Sequence, residues 1–393
     1  MSMGCSPGSL PLLLLSVVLI CTPACAPSGY VCQVPNDTDD GWSTASLGEV
    51  GMDETRIQAL MKGLSGLEDN PLHGIVIVRN GKLVFETYYS GEDLSVEGGL
   101  HTVRKEFDRD TVHCLASTSK SVTSILMGIA IDLGIVGSVD EKLFSFFPEY
   151  AHLSDAVKDD ITLRHALTMS SGIPWDESHS YTDPRNDVAQ MYFLCEDPVE
   201  YVLGKDLVAT PGDVFIYNTG TTNLLGEVVK RSSGESLMEF ADRYLFAPLG
   251  IVDCELTDIP AGSDIAAAAS LLYLRPRDMA KLGQLYLEGG TWDGRRVVPE
   301  AWVAESTAQE IAVAEDAAPI QGFNTTYGYQ WWRGTFETGT TDTYYAAGWG
   351  GQFIFVLPDV DMVIVFTAGH YKGDYGGFYQ IVNDHILPAA GVS

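Results

Sequence analysis

The sequence predicts a mixed α+β fold: one antiparallel sheet formed from both chain ends, flanked by helices, with a mostly helical lobe inserted between them. Three observations carry this expectation. Near the start, Ile75-Val76-Ile77-Val78 and Leu83-Val84-Phe85 are apolar runs joined through Asn80-Gly81, a strong hairpin signature. Near the end, residues 353–357 and 362–366 form a second apolar pair, joined by Pro358, Asp359, Val360 and Asp361. Between the two pairs, apolar residues recur mostly at helical spacing.

In chain order, residues 1–26 are expected to be a signal or lipoprotein leader. Residues 10–20 are an apolar run too short to span a bilayer as a helix. Ala24-Cys25-Ala26 then offers a cleavage site or, at Cys25, a lipid anchor. No Lys or Arg precedes Arg56, so the usual positive start of a leader is missing. The expected location is exported: periplasmic, as a membrane-anchored lipoprotein, or secreted. Residues 27–48 are polar and irregular and read as a linker. Residues 49–393 read as one domain, with about 100–260 its largely helical lobe. Val122, Ile125, Leu126, Ile129 and Leu133 follow the spacing of an amphipathic helix, which Gly134 stops. Further helices are expected over residues 154–169, 222–230, 237–245, 279–287 (started by Asp278) and 378–387.

The 393 residues are 46% hydrophobic, enough for a large core. The formal charge of −30 argues against nucleic acid and anionic membrane surfaces as partners. Beyond Cys5, Cys21 and Cys25, the cysteines Cys32, Cys114, Cys195 and Cys254 match no zinc-ribbon or C-x-x-C spacing. Disulfides and buried thiols both stay open for them. The eight histidines show no ligand spacing, and His113 and His165 read as structural. Cys114 reads as a core thiol. No G-x-S-x-G occurs. Asn36-Asp37-Thr38 and Asn324-Thr325-Thr326 match glycosylation sequons, and residues 327–332 read as aromatic sheet core.

Ser117-Thr118-Ser119-Lys120 is an S-x-x-K tetrad at the head of the first long helix. Ser117 and Lys120 sit one turn apart and share a face. A serine hydroxyl is a poor nucleophile until a base takes its proton, and a desolvated lysine can be that base. Tyr217 follows in the Pro211-Gly212 turn segment; its phenol beside an ammonium can pass a proton to a leaving group. Gly348-Trp349-Gly350-Gly351-Gln352 leads into a late strand. Glycines there let the backbone approach a substrate, and an amide of this edge with that of Ser117 would form an oxyanion hole.

These elements resemble the penicillin-recognising serine hydrolases: class C β-lactamases, D-alanyl-D-alanine carboxypeptidases, and the related esterases and 6-aminohexanoate-dimer hydrolases. Their marks are S-x-x-K, Y-x-N or Y-x-S, and a third element on a strand, often K-T-G. Here they correspond, in order, to Ser117–Lys120, Tyr217-Asn218-Thr219 and Gly348 to Gly351. The likeness runs from about Ile75 to Pro388. Leu167 to Gly172, Pro248-Leu249-Gly250 and Arg277 to Ala280 support it, and look most like the nylon-oligomer hydrolase and carboxylesterase branch. The resemblance implies the β-lactamase/D,D-peptidase fold, and it implies that Tyr181, in Tyr181-Thr182-Asp183-Pro184, closes over the bound amide. Three positions depart from it. Thr219 stands where Asn or Ser is usual. The K-T-G lysine, which in the family binds a substrate carboxylate, is absent, with Trp349 near its place. Ala266 to Ala269 replace an asparagine of the nylon-oligomer branch.

The expected function is therefore a serine hydrolase cleaving an ester or amide of a small substrate through an acyl-enzyme on Ser117, in an uncharged pocket. Ser117, Lys120 and Tyr217 are its catalytic candidates; Trp349, Gly350, Tyr181 and Thr219 are its oxyanion and substrate candidates. No cofactor or metal is expected. A β-lactamase or carboxypeptidase, and a catalytically silent binding relative, are the alternatives.

Overall fold

The computed structural model describes residues 30–66, 70–95, 101–321, 323, 325–372 and 375–393. The leader with Cys25, and the sequon asparagine Asn324, lie outside them. Among the described residues no helix is long and apolar enough to cross a membrane.

Helix α1 (Glu54–Ser65) opens the domain, its first turn capped by the Asp53 carboxylate accepting from the Thr55 amide. The first hairpin follows as β1 (Leu72–Arg79) and β2 (Lys82–Tyr88), turning at Asn80 and Gly81, both at positive φ. The helical lobe carries α2 (Ser119–Asp132), α3 (Leu163–Leu167) and α4 (Thr219–Ser233); α5 (Pro276–Leu287) comes after it. The chain then adds β3 (Ile311–Ala312), β4 (Thr326–Tyr327), β5 (Trp332–Thr335), β6 (Asp342–Gly348), β7 (Gln352–Leu357) and β8 (Met362–Ala368). These strands form one eight-stranded sheet in the order β3-β4-β5-β6-β7-β8-β1-β2. Every pairing is antiparallel, so the N-terminal hairpin docks on the C-terminal one, with Val76 opposite Val365.

The central strands are buried on both faces, which explains their unbroken apolar runs. Side chains alternate between faces. Val76, Val78, Ile354, Val356, Val363 and Val365 join the core under α2 and α5. Ile75, Ile77, Phe353, Phe355, Ile364 and Phe366 join a second core with Ile57 and Leu60 of α1 and with Val382 and Ile386 near the C-terminus. The sheet is thus the middle of three layers.

Several expectations need correction. Helix α2 is enclosed on nearly all sides from Ser119 to Ala130, and Leu133 is its exposed C-cap, not part of an apolar stripe. The span 154–169 is not one helix. The Asp155 carboxylate accepts from the Val157 and Lys158 amides, Ile161 is extended, and Thr162 starts α3 in a reciprocal cap with His165. Helix α5 begins at Pro276, the favoured first position. Asp278 lies inside it, paired with Arg275 at 2.7 Å and Lys281 at 2.9 Å. The helix at 237–245 is α-helical only over Leu237–Ala241, and the one at 378–387 starts earlier, at Gly376. Within the segment read as a linker, Trp42, Ala45 and Leu47 are buried, and the buried Arg277 guanidinium donates to Asp40, Glu86 and the Asn36 carbonyl.

Candidate active site

The turn before α2 is held from two sides. Ala116 adopts φ 45°, a conformation costly for a residue with a Cβ, and it aims the next residue, Ser117, out of the short turn Ala116–Thr118. The end of β6 presses on that turn: a Cβ on Gly348 would lie 2.3 Å from the Leu115 carbonyl oxygen. The Thr118 hydroxyl donates to the Gln352 carbonyl at 3.0 Å. Ser117 stays partly open while Lys120 is buried behind it.

Lys120 Nζ donates to Ser117 Oγ at 2.9 Å and to the Ala269 carbonyl at 3.2 Å. Ala269 is itself fixed from α4, its amide donating to Asn223 Oδ1 at 3.0 Å. Burial pulls the Lys120 ammonium down to about 8, against the opposing pull of the Glu177 carboxylate. The Tyr217 ring lies 4.9 Å from Lys120 Nζ, on the same side of the site as Ser117. Burial pushes the Tyr217 phenol well above its ordinary value. Of the two groups beside Ser117, Lys120 is therefore the one that loses a proton near neutral pH, while Tyr217 keeps its own.

Tyr217 rides on the segment 169–173. The Ile216 amide donates to the Met169 carbonyl at 2.7 Å, and Asn218 Nδ2 to the Ile173 carbonyl at 3.2 Å. Asn218 Oδ1 accepts from the Thr221 amide, so the residue after Tyr217 caps α4. The Tyr217 ring stacks on Trp332 at 5.6 Å, which gives the aromatic stretch at 327–332 a role behind the site as well as in the sheet core.

Beyond β6, the Gly350 amide donates to the Tyr375 hydroxyl at 3.0 Å and the Gly351 amide to the Gly348 carbonyl at 3.1 Å. Of the candidate oxyanion donors, the Ser117 and Trp349 amides have no acceptor among the described residues. The Trp349 ring is gripped between Tyr181 and Tyr371, each 4.8 Å away.

Ser117, Tyr181, Thr219 and Trp349 line one narrow cavity of about 70 Å³. That is room for about five waters, on the scale of a short acyl chain. Leu94, Tyr192 and Phe193 complete its apolar walls. Larger clefts lie elsewhere, such as one of about 380 Å³ beside Arg333 and Asp342, without this chemistry. The expectation of an uncharged pocket is corrected by Glu177, which lines the same cavity. Its Oε1 accepts from Trp175 Nε1 at 2.7 Å and from the Thr219 amide at 3.3 Å. Nothing in the local sequence marks Glu177; only the fold carries its loop to the start of α4.

A second polar cluster lies behind Leu94. His73 Nδ1 and His113 Nε2 are 2.7 Å apart, and Asp93 Oδ1 lies 3.9 Å from His113 Nε2. This is the tightest set of metal-type ligands among the described residues. It is occupied by its own bonds: Asp93 accepts from Lys105 at 2.8 Å, Tyr371 at 3.1 Å and the Leu94 amide at 2.9 Å. His165 likewise serves as a helix cap. Cys32, Cys114, Cys195 and Cys254 are unpaired thiols, and burial lifts Cys114 to about 11, which keeps it a protonated core group.

Comparison with known proteins adds to this geometry. The family model described as Beta-lactamase matches residues 54–376. The chain is 26% identical over 315 residues to the 6-aminohexanoate-dimer hydrolase of Paenarthrobacter ureafaciens, covering 76% of this chain and 73% of that protein. It is 31% identical over 202 residues to the lovastatin esterase of Penicillium rubens, covering 46% of this chain and 48% of that one. In fold it resembles the octameric penicillin-binding protein homologue from Pyrococcus abyssi, with a TM-score of 0.60 at 19% identity over 87% of this chain and 77% of that one.

Proposed function

The chain belongs to the beta-lactamase family, and from that premise we propose a serine hydrolase that cleaves esters or amides of small substrates through an acyl-enzyme on Ser117. The observation that carries this reading is the buried Lys120 ammonium, 2.9 Å from Ser117 Oγ and lowered to about 8. Neutral Lys120 takes the Ser117 proton as Oγ attacks the carbonyl carbon. The tetrahedral oxyanion is held by the Ser117 and Trp349 amides. Tyr217 donates its proton to the leaving oxygen or nitrogen and is reprotonated from Lys120. Water then attacks the acyl-enzyme, giving its proton to the same pair, and Ser117 leaves with the proton restored. Each proton transfer uses Ser117, Lys120 or Tyr217, which the fold gathers at one place.

Activities borne by the two relatives, amide cleavage in one and ester cleavage in the other, support this substrate range. The test is purified protein lacking residues 1–26 mixed with p-nitrophenyl butyrate, with Ser117→Ala as control. A pre-steady-state burst absent from the variant supports the acyl-enzyme. Turnover retained by Ser117→Ala overturns it. We also propose export, on the apolar leader and Ala24-Cys25-Ala26. Mass spectrometry of the mature N-terminus distinguishes cleavage, lipidation at Cys25 and an intact leader.

A further inference from the structure

Glu177 stands out because the pocket around it is otherwise apolar and aromatic. Tyr181, Tyr192, Phe193 and Trp349 present ring faces or edges to the cavity that Ser117 opens into. Their hydroxyls do not add charge: burial lifts both Tyr181 and Tyr192 above the ordinary phenol range. Among the lining residues Glu177 is the one formal charge. One of its oxygens is tied to Trp175 and Thr219; the other has no hydrogen-bond partner among the described residues. Lys120, the catalytic cation, feels the Glu177 charge, and it must be neutral to accept the Ser117 proton. In the protonation state that reacts, the site therefore carries a net negative charge. The lysine that would balance it in K-T-G relatives is replaced near its place by Trp349, whose ring adds a further cation-attracting face. The net charge of −30 on the whole chain adds attraction for cations at longer range.

We infer that Glu177 is a specificity-determining residue that makes this pocket a recognition site for substrates bearing an ammonium group on the acyl side, and excludes carboxylates. The inference rests on the serine hydrolase reading above. Aromatic faces and one carboxylate are complementary to an alkylammonium, which loses little hydration on entering an apolar box. A carboxylate in the same place meets Glu177 with no compensating cation.

The test uses three p-nitrophenyl esters with one leaving group: γ-butyrobetaine ester, its isostere with tert-butyl in place of trimethylammonium, and hemiglutarate. Rates are divided by those of alkaline hydrolysis to remove intrinsic reactivity. The expected order of kcat/KM is cation, neutral, anion. Glu177→Gln keeps an acceptor for Trp175 and Thr219 while removing the charge, so it should shrink the cation-to-neutral ratio by about tenfold. The same ratio in both proteins, or a wild-type preference for the neutral ester, overturns the inference. Raising salt should compress the wild-type ratio, a readout that stands even if the variant folds poorly; a salt-independent ratio also counts against Glu177. Failure of all three esters with wild-type protein refutes the hydrolase reading instead.

Discussion

Two buried polar clusters lie side by side in this molecule and behave oppositely. Around Ser117, Lys120 is buried yet lowered only to about 8, and one side of the cluster opens into a cavity. Around His73, two imidazoles and Asp93 are buried with their bonds turned on one another, and His73 is lowered to about 3. Burial lowers both cations. The difference lies in what each cluster still has to offer. The Ser117 cluster holds a hydroxyl whose acceptor site faces empty space, so its strain and its shifted lysine are usable. The histidine cluster has Lys105, Tyr371 and Leu94 closing on Asp93, and the one unpartnered ring nitrogen, His73 Nε2, is buried, so its shifted groups are shut in. A perturbed group signals chemistry where a ligand can reach it and architecture where none can.

The strongest break in this comparison is at the open cluster. Ser117→Ala should remove turnover, by about 10³-fold or more, with the melting temperature nearly unchanged, since the residue is partly exposed and its hydroxyl's one side-chain hydrogen bond among the described residues is to Lys120. Stopped-flow burst amplitude checks it; residual burst would move the nucleophile elsewhere. Tyr217→Phe keeps the ring on Trp332 and deletes only the proton donor. Its expected cost is about 10²-fold in kcat, greater for substrates with poorer leaving groups. A loss independent of leaving group would argue that Tyr217 only orients Ser117.

The two clusters are also coupled, and Asp93 is where. It holds the Leu94 amide and the Tyr371 hydroxyl, and Leu94 and the Trp349 ring packed on Tyr371 both wall the cavity. Asp93→Asn should loosen the Trp349 amide and lower kcat by about tenfold while KM for a neutral ester changes less. Asp93 is a positioning residue on this argument. Loss of stability alone, with kcat per folded molecule unchanged, would make it purely structural.

How much of this was legible beforehand follows from sequence separation. Ser117 and Lys120 are one helical turn apart, so their pairing could be read directly, as could both hairpins with their local turn residues. Tyr217 and Trp349 were found as short motifs, because the chemistry they suggest is written in residues next to them. Glu177 was not found: it reaches the pocket only because its loop folds over the first turn of α4, where Thr219 and Trp175 fix it. The Asp93–His113–His73 network was missed for the same reason, since β1, a short hairpin strand and the residue pair before the nucleophile turn meet only in the folded chain. The broken helix at 154–169 failed differently. Apolar spacing was present, but Asp155 and Thr162 offered the backbone side-chain acceptors that end and restart helices.

The open cluster should show its titration in rate. Hydrolysis of a neutral ester should rise with pH through about 8, as Lys120 becomes able to accept a proton. The closed cluster should show its titration in stability. His113 Nδ1 faces the Cys114 carbonyl, an acceptor only, so His113 carries its proton there and its Nε2 accepts from His73 Nδ1. A second proton on His113 would have to sit on Nε2 and break that bond; on His73 it would sit on Nε2, which is buried without a hydrogen-bond partner among the described residues. Both histidines are depressed in the fold, by burial first, with Asp93 opposing; Lys105 adds to the depression of both, and His113 to that of His73. The unfolded chain takes up protons near pH 6.5 that the fold refuses until about 3 for His73. Their contribution is thus complete above about pH 6.5 and is lost as pH falls below it, at about 1.4 kcal/mol per pH unit for His73, with His113 adding in the same direction. Urea unfolding between about pH 5 and 6.5, above the main carboxylate range, reads this slope together with that of His165, which burial also lowers. His73→Asn should flatten it by about one proton. An unchanged slope in that variant would mean the cluster takes up its protons without unfolding, and so is less tightly closed than its bonds imply.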